Sequence, residues 1–105
     1  MKPIHIVAHI VAKPDSVTVL GHALQACLVP SRNEPGCLAY HLHQDVENPA
    51  HFVFIEQWQD QQAIDEHREA SHYKAMAAVV AAHALSRDVL VFDQLLDHIV
   101  SPATS

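Results

Sequence analysis

Cys37-Leu38-Ala39-Tyr40-His41-Leu42-His43-Gln44-Asp45 and His51-Phe52-Val53-Phe54-Ile55-Glu56-Gln57-Trp58-Gln59 are the two runs whose reading decides the fold. Both are rich in β-branched and aromatic residues, and Val46 to Ala50, with Asn48-Pro49, supplies turn chemistry between them. A connection that short makes two strands of one hairpin. Leu38, Tyr40, Leu42, Phe52, Phe54 and Trp58 share one parity, while Ala39, Val53 and Ile55 share the other. Both faces of the hairpin are therefore apolar. A register that sets Tyr40 opposite Glu56 gives the one acidic residue of that row a phenol as neighbour, and a buried carboxylate needs such a partner.

Upstream, Ile4 to Ala12 is an alternating, β-branched run that Lys13-Pro14 ends, and it reads as a strand. Asp15 or Ser16 then caps a helix carrying Val17, Leu20, Leu24, Cys27 and Leu28 at steps of three and four. Gly21 weakens that helix by up to about 1 kcal/mol and lets it sit close to a strand. Glu34-Pro35-Gly36 closes the segment as a turn. Downstream, Asp60 caps a second helix with Ala63, Ile64 and His67 on its inner stripe. Ser71 is a second cap or a kink, after which Tyr73, Met76, Ala77 and Val80 continue the apolar face. Val89 to Ile99 is the last strand. Residues 1–100 form a single domain, and residues 101–105 a flexible C-terminal tail.

The order is βαββαβ, an α+β arrangement. It is the ferredoxin-like split fold, one antiparallel sheet with both helices on one face. The first strand, like the hairpin, is apolar on both sides, with Ile4, Ile6, Ala8 and Ile10 against Val7 and Val11. Helices cover only one face, so a monomer would leave a large apolar patch in water. A second copy packed sheet against sheet removes it, and the expectation is a homodimer, a dimeric α+β barrel.

Composition narrows the function. Half the residues are hydrophobic and 17% are charged, as in globular domains. A net charge of −6 with six Lys and Arg and no basic cluster speaks against nucleic acid and against an anionic membrane as partners. Residues 4–12 are too few to cross a bilayer, and the chain starts without signal-peptide features. Cys27 and Cys37 fit buried free thiols of a cytoplasmic protein, with a single disulfide as the alternative. Two glycines leave no phosphate loop or dinucleotide fingerprint.

The ten histidines raise the question of a metal. His41-x-His43 sets two imidazoles on one strand face, with His51 at matching parity. Side chains at i and i+2 stand about 7 Å apart, wide for a shared ion. With no Cys pair and no His-Glu-x-x-His, no native metal site is expected.

Glu34-Pro35-Gly36-Cys37-Leu38-Ala39-Tyr40 resembles the entry to the second strand in the antibiotic biosynthesis monooxygenase family. Ile55-Glu56-Gln57-Trp58, then His67, then Ser71-His72-Tyr73-Lys74 resembles that family's downstream signature. The similarity spans nearly the whole chain and is greatest to the quinol monooxygenase branch. The branch holding the autoinducer-processing isomerase shares the His-to-His-Tyr-Lys helix. The resemblance implies a cofactor-independent monooxygenase, free of metal, flavin and haem, that oxidises a small quinol or polyphenol with dioxygen. Such chemistry asks of the protein a base, an oriented apolar slot and exclusion of water.

His67 is the leading candidate for the base. On pattern alone it reads as a core histidine satisfied by one bond, whereas the resemblance favours function, and burial would keep it neutral. His9 is the second catalytic candidate: it meets His67 across a pocket if its face of strand one lies under the helices, and is otherwise a partly exposed strand residue. His41, Trp58, His72, Tyr73 and Met76 are candidates for holding a small hydrophobic or aromatic substrate, with packing and capping as their alternative roles. Tyr40 and Glu56 form the expected structural polar pair. A non-catalytic dimer that binds a small ligand is one alternative. An isomerase is another, and needs cations in the pocket, for which Arg32, Arg68, Lys74 and Arg87 are available.

Overall fold

The structure is a computed structural model that describes residues 2–93 and 95–97. In chain order it contains β1 (Ile4–Ala12), α1 (Val17–Ala26), α2 (Leu28–Arg32), β2 (Cys37–Gln44), β3 (His51–Trp58), α3 (Gln61–Glu69), α4 (Ser71–His83) and β4 (Ala84–Phe92). The strands form one sheet in the order β2-β3-β1-β4, with every neighbouring pair antiparallel. This is the split βαββαβ arrangement, with each helical arm broken once.

Alternation divides the strand side chains into two rows, and the helices cover one of them. Ile6, Ala8, Ile10 and Ala12 of β1 are buried together with Phe52, Phe54, Glu56 and Trp58 of β3. Leu20 and Leu24 from α1, Ile64 from α3, and Met76 and Val80 from α4 close over them. The other row, His5, Val7, His9 and Val11 with Val53, Ile55 and Gln57, faces away from the helices; Ile55 is exposed and the rest are partly buried. Gly21 has a packing reason: a Cβ there would lie 3.3 Å from the Phe52 ring, so α1 lies directly on β3.

Tyr40 stands opposite Glu56. A bulge between Cys37 and Ala39 shifts the register at the start of β2, and it turns Leu38 out to solvent, away from the row its parity assigned.

Asp60 caps α3 by accepting from the Ala63 amide at 2.9 Å. The other expected caps do not form. Ser16 occupies the cap position of α1, but its hydroxyl is bonded to His83 Nδ1 at the far end of α4. Ser71 is the first residue of α4, and the break falls on extended Ala70.

The largest correction concerns the last strand. It begins at Ala84, directly after α4, and ends at Phe92, not Val89 to Ile99; residues 98–105 lie outside the described part. Ser86, Arg87 and Asp88 look unlike a strand in sequence, yet β4 is an edge strand, where polar side chains are tolerated. Both cysteines are free thiols, and among the described residues no helix is long and apolar enough to cross a membrane.

Candidate functional site

The inner stripe of α3 repeats Ala63, Ile64 and His67 at helical spacing, so His67 points at the sheet from the last turn. The break at Ala70 then restarts the helix and brings His72 and Tyr73 back over the same spot. From the other side comes Glu34, held where α2 runs into the turn at Pro35-Gly36. That turn is tight against α3: a Cβ on Gly36 would fall 2.3 Å from the Ala63 Cβ.

These elements meet at one atom. Glu34 Oε2 lies 2.6 Å from His67 Nδ1 and 2.7 Å from His72 Nε2. A carboxylate only accepts, so both ring nitrogens donate and their tautomers follow. His67 is 3% exposed and sits in an aromatic box, its ring centroid 4.5 Å from that of Trp58, 4.9 Å from Tyr73 and 5.5 Å from Tyr40. Burial pulls its pKa below the usual histidine value, against the opposing pull of Glu34. The product is a neutral imidazole with Nδ1–H anchored. Its basic Nε2 has no partner among the described residues.

His67 lines a cavity between helices and sheet together with Glu56, Arg68, Tyr73, Met76 and Arg87. Its volume is about 30 Å³, room for about one water. Arg87 Nη2 donates to the Tyr73 hydroxyl, and its guanidinium lies 5.7 Å from the centre of that ring, so β4 is tied to α4 beside the cavity. At the back, Trp58 Nε1 donates to Glu56 Oε1 at 2.8 Å. Burial pushes the Glu56 carboxyl up to about 7, although the Trp58 bond and the charges of Arg68 and Arg87 pull it down.

Trp58, His72, Tyr73 and Met76 thus gather around His67. Two of the expected site residues do not. His9 is on the opposite face of the sheet, where its Nδ1 lies 2.9 Å from His51 Nε2, and His51 Nδ1 in turn lies 3.0 Å from Asp45 Oδ2. The even-numbered row of β1 takes the helix side, so His9 cannot meet His67. His41 also points outward, paired with Ile55, and is exposed. Tyr40 and Glu56 are neighbours without a mutual bond, because the Tyr40 hydroxyl turns to Cys27 Sγ at 3.7 Å.

Sequence reasoning missed Glu34. Its signal was present in the Glu34-Pro35-Gly36 motif, but a turn explained those residues without the carboxylate. It also placed the metal question elsewhere. Glu34, His67 and His72 each offer one ligand atom, all within 4.8 Å of one another, whereas His41, His43 and His51 form no such group. Zinc bonds of about 2.0 Å in a tetrahedral array hold ligand atoms roughly 3.3 Å apart. The two contacts of Glu34 Oε2 are shorter than that, a spacing suited to shared protons.

Residues 3–79 match the family described as antibiotic biosynthesis monooxygenase. A Mycobacterium tuberculosis protein named "Putative monooxygenase Rv0793" is 33% identical over 89 residues, which cover 85% of this chain and 86% of the relative. A Bacillus subtilis protein named "Putative monooxygenase YcnE" is 31% identical over 71 residues, 68% of this chain and 75% of that one. Among solved structures, PA3566 from Pseudomonas aeruginosa superposes with a TM-score of 0.87 at 32% identity, covering 91% of this chain and 97% of that one.

Proposed function

We propose, from the premise that this chain belongs to the antibiotic biosynthesis monooxygenase family, that it oxidises a small quinol or polyphenol with dioxygen and without a cofactor. The observation that carries this reading is the state of His67: neutral by burial, anchored at Nδ1 by Glu34, and lining the helix–sheet cavity with Nε2 unpaired among the described residues. A phenolic hydroxyl delivered there gives its proton to Nε2, and the electron-rich phenolate forms a carbon–oxygen bond with dioxygen. Glu34 stabilises the imidazolium that results and fixes the ring. His72 shares the same carboxylate oxygen and steadies it. The cavity holds about one water, so a phenolic substrate enters only when the side chains lining it, Tyr73 and Arg87 among them, move apart.

The proposal includes a homodimer. Ile55, Leu90 and Phe92 stand roughly half exposed on the face away from the helices, which supports a second copy packed there. Such an interface should bury at least about 1,200 Å² in total. Light scattering at micromolar concentration is expected to give twice the chain mass, and a clean monomer would exclude the arrangement. Two free thiols fit a cytoplasmic setting.

One observation favours a second reading. Arg68 and Arg87, two of the chain's six basic residues, line the cavity, which suits an isomerase acting on a phosphate-bearing, sugar-like substrate. Oxygen uptake with a panel of hydroquinones separates the readings. Uptake that depends on His67 supports the oxygenase; none with any diphenol, together with turnover of a phosphorylated sugar, supports the isomerase.

A further inference from the structure

Glu56 has no place in the chemistry so far, and its surroundings do not read as structural. It is 7% exposed, buried on the inner row of β3. Oε1 takes the Trp58 indole proton, but Oε2 has no partner among the described residues. No fully enclosed side-chain oxygen or nitrogen there lacks a partner, so Oε2 reaches the cavity surface. Tyr40, the residue opposite, gives its hydroxyl to Cys27 and leaves this oxygen unclaimed. A buried carboxyl with one oxygen held and the other presented to a cavity is costly unless something in the cavity uses it.

We propose that Glu56 is the second proton-transfer group of this pocket, giving a proton to the peroxide formed on the substrate and taking one from the substrate carbon. The proposal rests on the oxygenase reading above, and the protons balance as follows. His67 takes the phenolic proton. The phenolate adds dioxygen, the oxidant, at a ring carbon that bears hydrogen, giving a ketone with a peroxide anion. Protonated Glu56 donates to the terminal oxygen and becomes a carboxylate. That carboxylate then removes the hydrogen from the same carbon as the oxygen–oxygen bond breaks. The departing hydroxide takes the proton stored on His67 and leaves as water. A phenol and dioxygen have become a quinone and water, and both residues are back in their starting states.

The charged and titratable groups around Glu56 fit this use. Trp58 from its own strand, Arg68 from α3 and Arg87 from β4 ease its ionisation, while Glu34 opposes it and burial dominates, so the carboxyl titrates near neutral pH. Tyr40 from β2 faces it with a hydroxyl whose pKa burial raises, so it stays protonated. The neighbouring His67 has its pKa moved down. A carboxyl moved up and an imidazole moved down, both open to one cavity, form an acid–base pair.

The test uses Glu56→Gln, which keeps an oxygen for the Trp58 indole. Oxygen uptake with benzene-1,4-diol is expected to fall roughly 10²-fold, and the alkaline limb of the pH–rate profile should disappear while the acid limb stays. In parallel, the Glu56 signal in wild-type protein carrying carboxyl-labelled glutamate, assigned by its loss in the variant, should move on saturation with benzene-1,4-diol. That second measurement does not depend on the variant folding. A wild type that consumes oxygen, with an unaltered Glu56→Gln rate and a silent carboxyl signal, overturns the assignment of Glu56 alone. A wild type that consumes none with any diphenol overturns the oxygenase reading, and the transfer steps fall with it.

Discussion

The two faces of the sheet each carry a histidine bonded to a carboxylate, and the two differ in burial and in what the second ring nitrogen meets. Inside, Glu34 grips His67 at 2.6 Å beneath α3 and α4, where the ring is sealed by aromatic neighbours. Outside, Asp45 lies 3.0 Å from His51, whose other nitrogen meets His9 at 2.9 Å, in reach of water. Each arrangement joins one carboxylate and two imidazoles through two contacts. Both nitrogens of His51 are engaged, however, one by Asp45 and one by His9, and Asp45 is simply held below the usual carboxylate range by the His51 bond. The inner pair leaves the second nitrogen of a buried ring unspent, and that ring lines the cavity between helices and sheet. Burial and a free lone pair separate a site from a surface contact.

The sharpest way to break this comparison is to remove each histidine in turn. His67→Ala is expected to lower turnover of a diphenol by about 10²-fold or more, the usual contribution of a positioned base. If the melting temperature falls while turnover per folded molecule holds, His67 is a core residue and the inner face has lost its distinction. Glu34→Gln keeps the shape but weakens the anchor, and roughly a tenfold loss of turnover is expected. Its pH–rate profile should retain both limbs, since neither titrating group has been removed.

Glu56 gives a subtler effect, read in stability. Its folded pKa of about 7 stands above the ordinary glutamate value of 4.5, so the folded state holds the proton more tightly than the unfolded chain. That contribution is complete below pH 4.5 and is lost as pH rises through 7. Glu56→Gln removes the dependence. Relative to wild type, the variant should therefore gain a few degrees in Tm at pH 8 over its value at pH 4. Equal differences at both pH values would mean that the carboxyl is not sealed off as described.

The smallest effects are expected outside the pocket. His51→Ala dismantles the outer chain and should change turnover by less than about twofold, within what surface substitutions usually do. Dialysis against EDTA should leave the rate unchanged, because the inner carboxylate is spaced for protons. Activity lost to EDTA and restored by one ion would turn Glu34, His67 and His72 into ligands.

Much of this was legible before the structure, and the exceptions share a cause. The hairpin, the Tyr40–Glu56 register and the Asp60 cap follow from patterns only a few residues long. Ser16 and Ser71 have the right residue type for caps, yet a distant His83 claims the first and the backbone at Ala70 makes the second unnecessary. β4 hides its identity because an edge strand may be polar, and its length is set by β1, which it must match from Ala12 to His5.

By itself, the sequence determined the order of elements, two apolar sheet faces and an inward His67, because periods of 2 and 3.6 are properties of adjacent residues. It did not determine which face the helices cover, since alternation separates two apolar rows without ranking them. Packing chose the row of Ile6, Ala8 and Ile10 and sent His9 and His41 outward. Nor did it bring Glu34 to His67 and His72, which are 33 and 38 positions away. That meeting exists only because the tight turn at Gly36 lies against α3 and the break at Ala70 turns α4 back over the same pocket, and no local period records either contact.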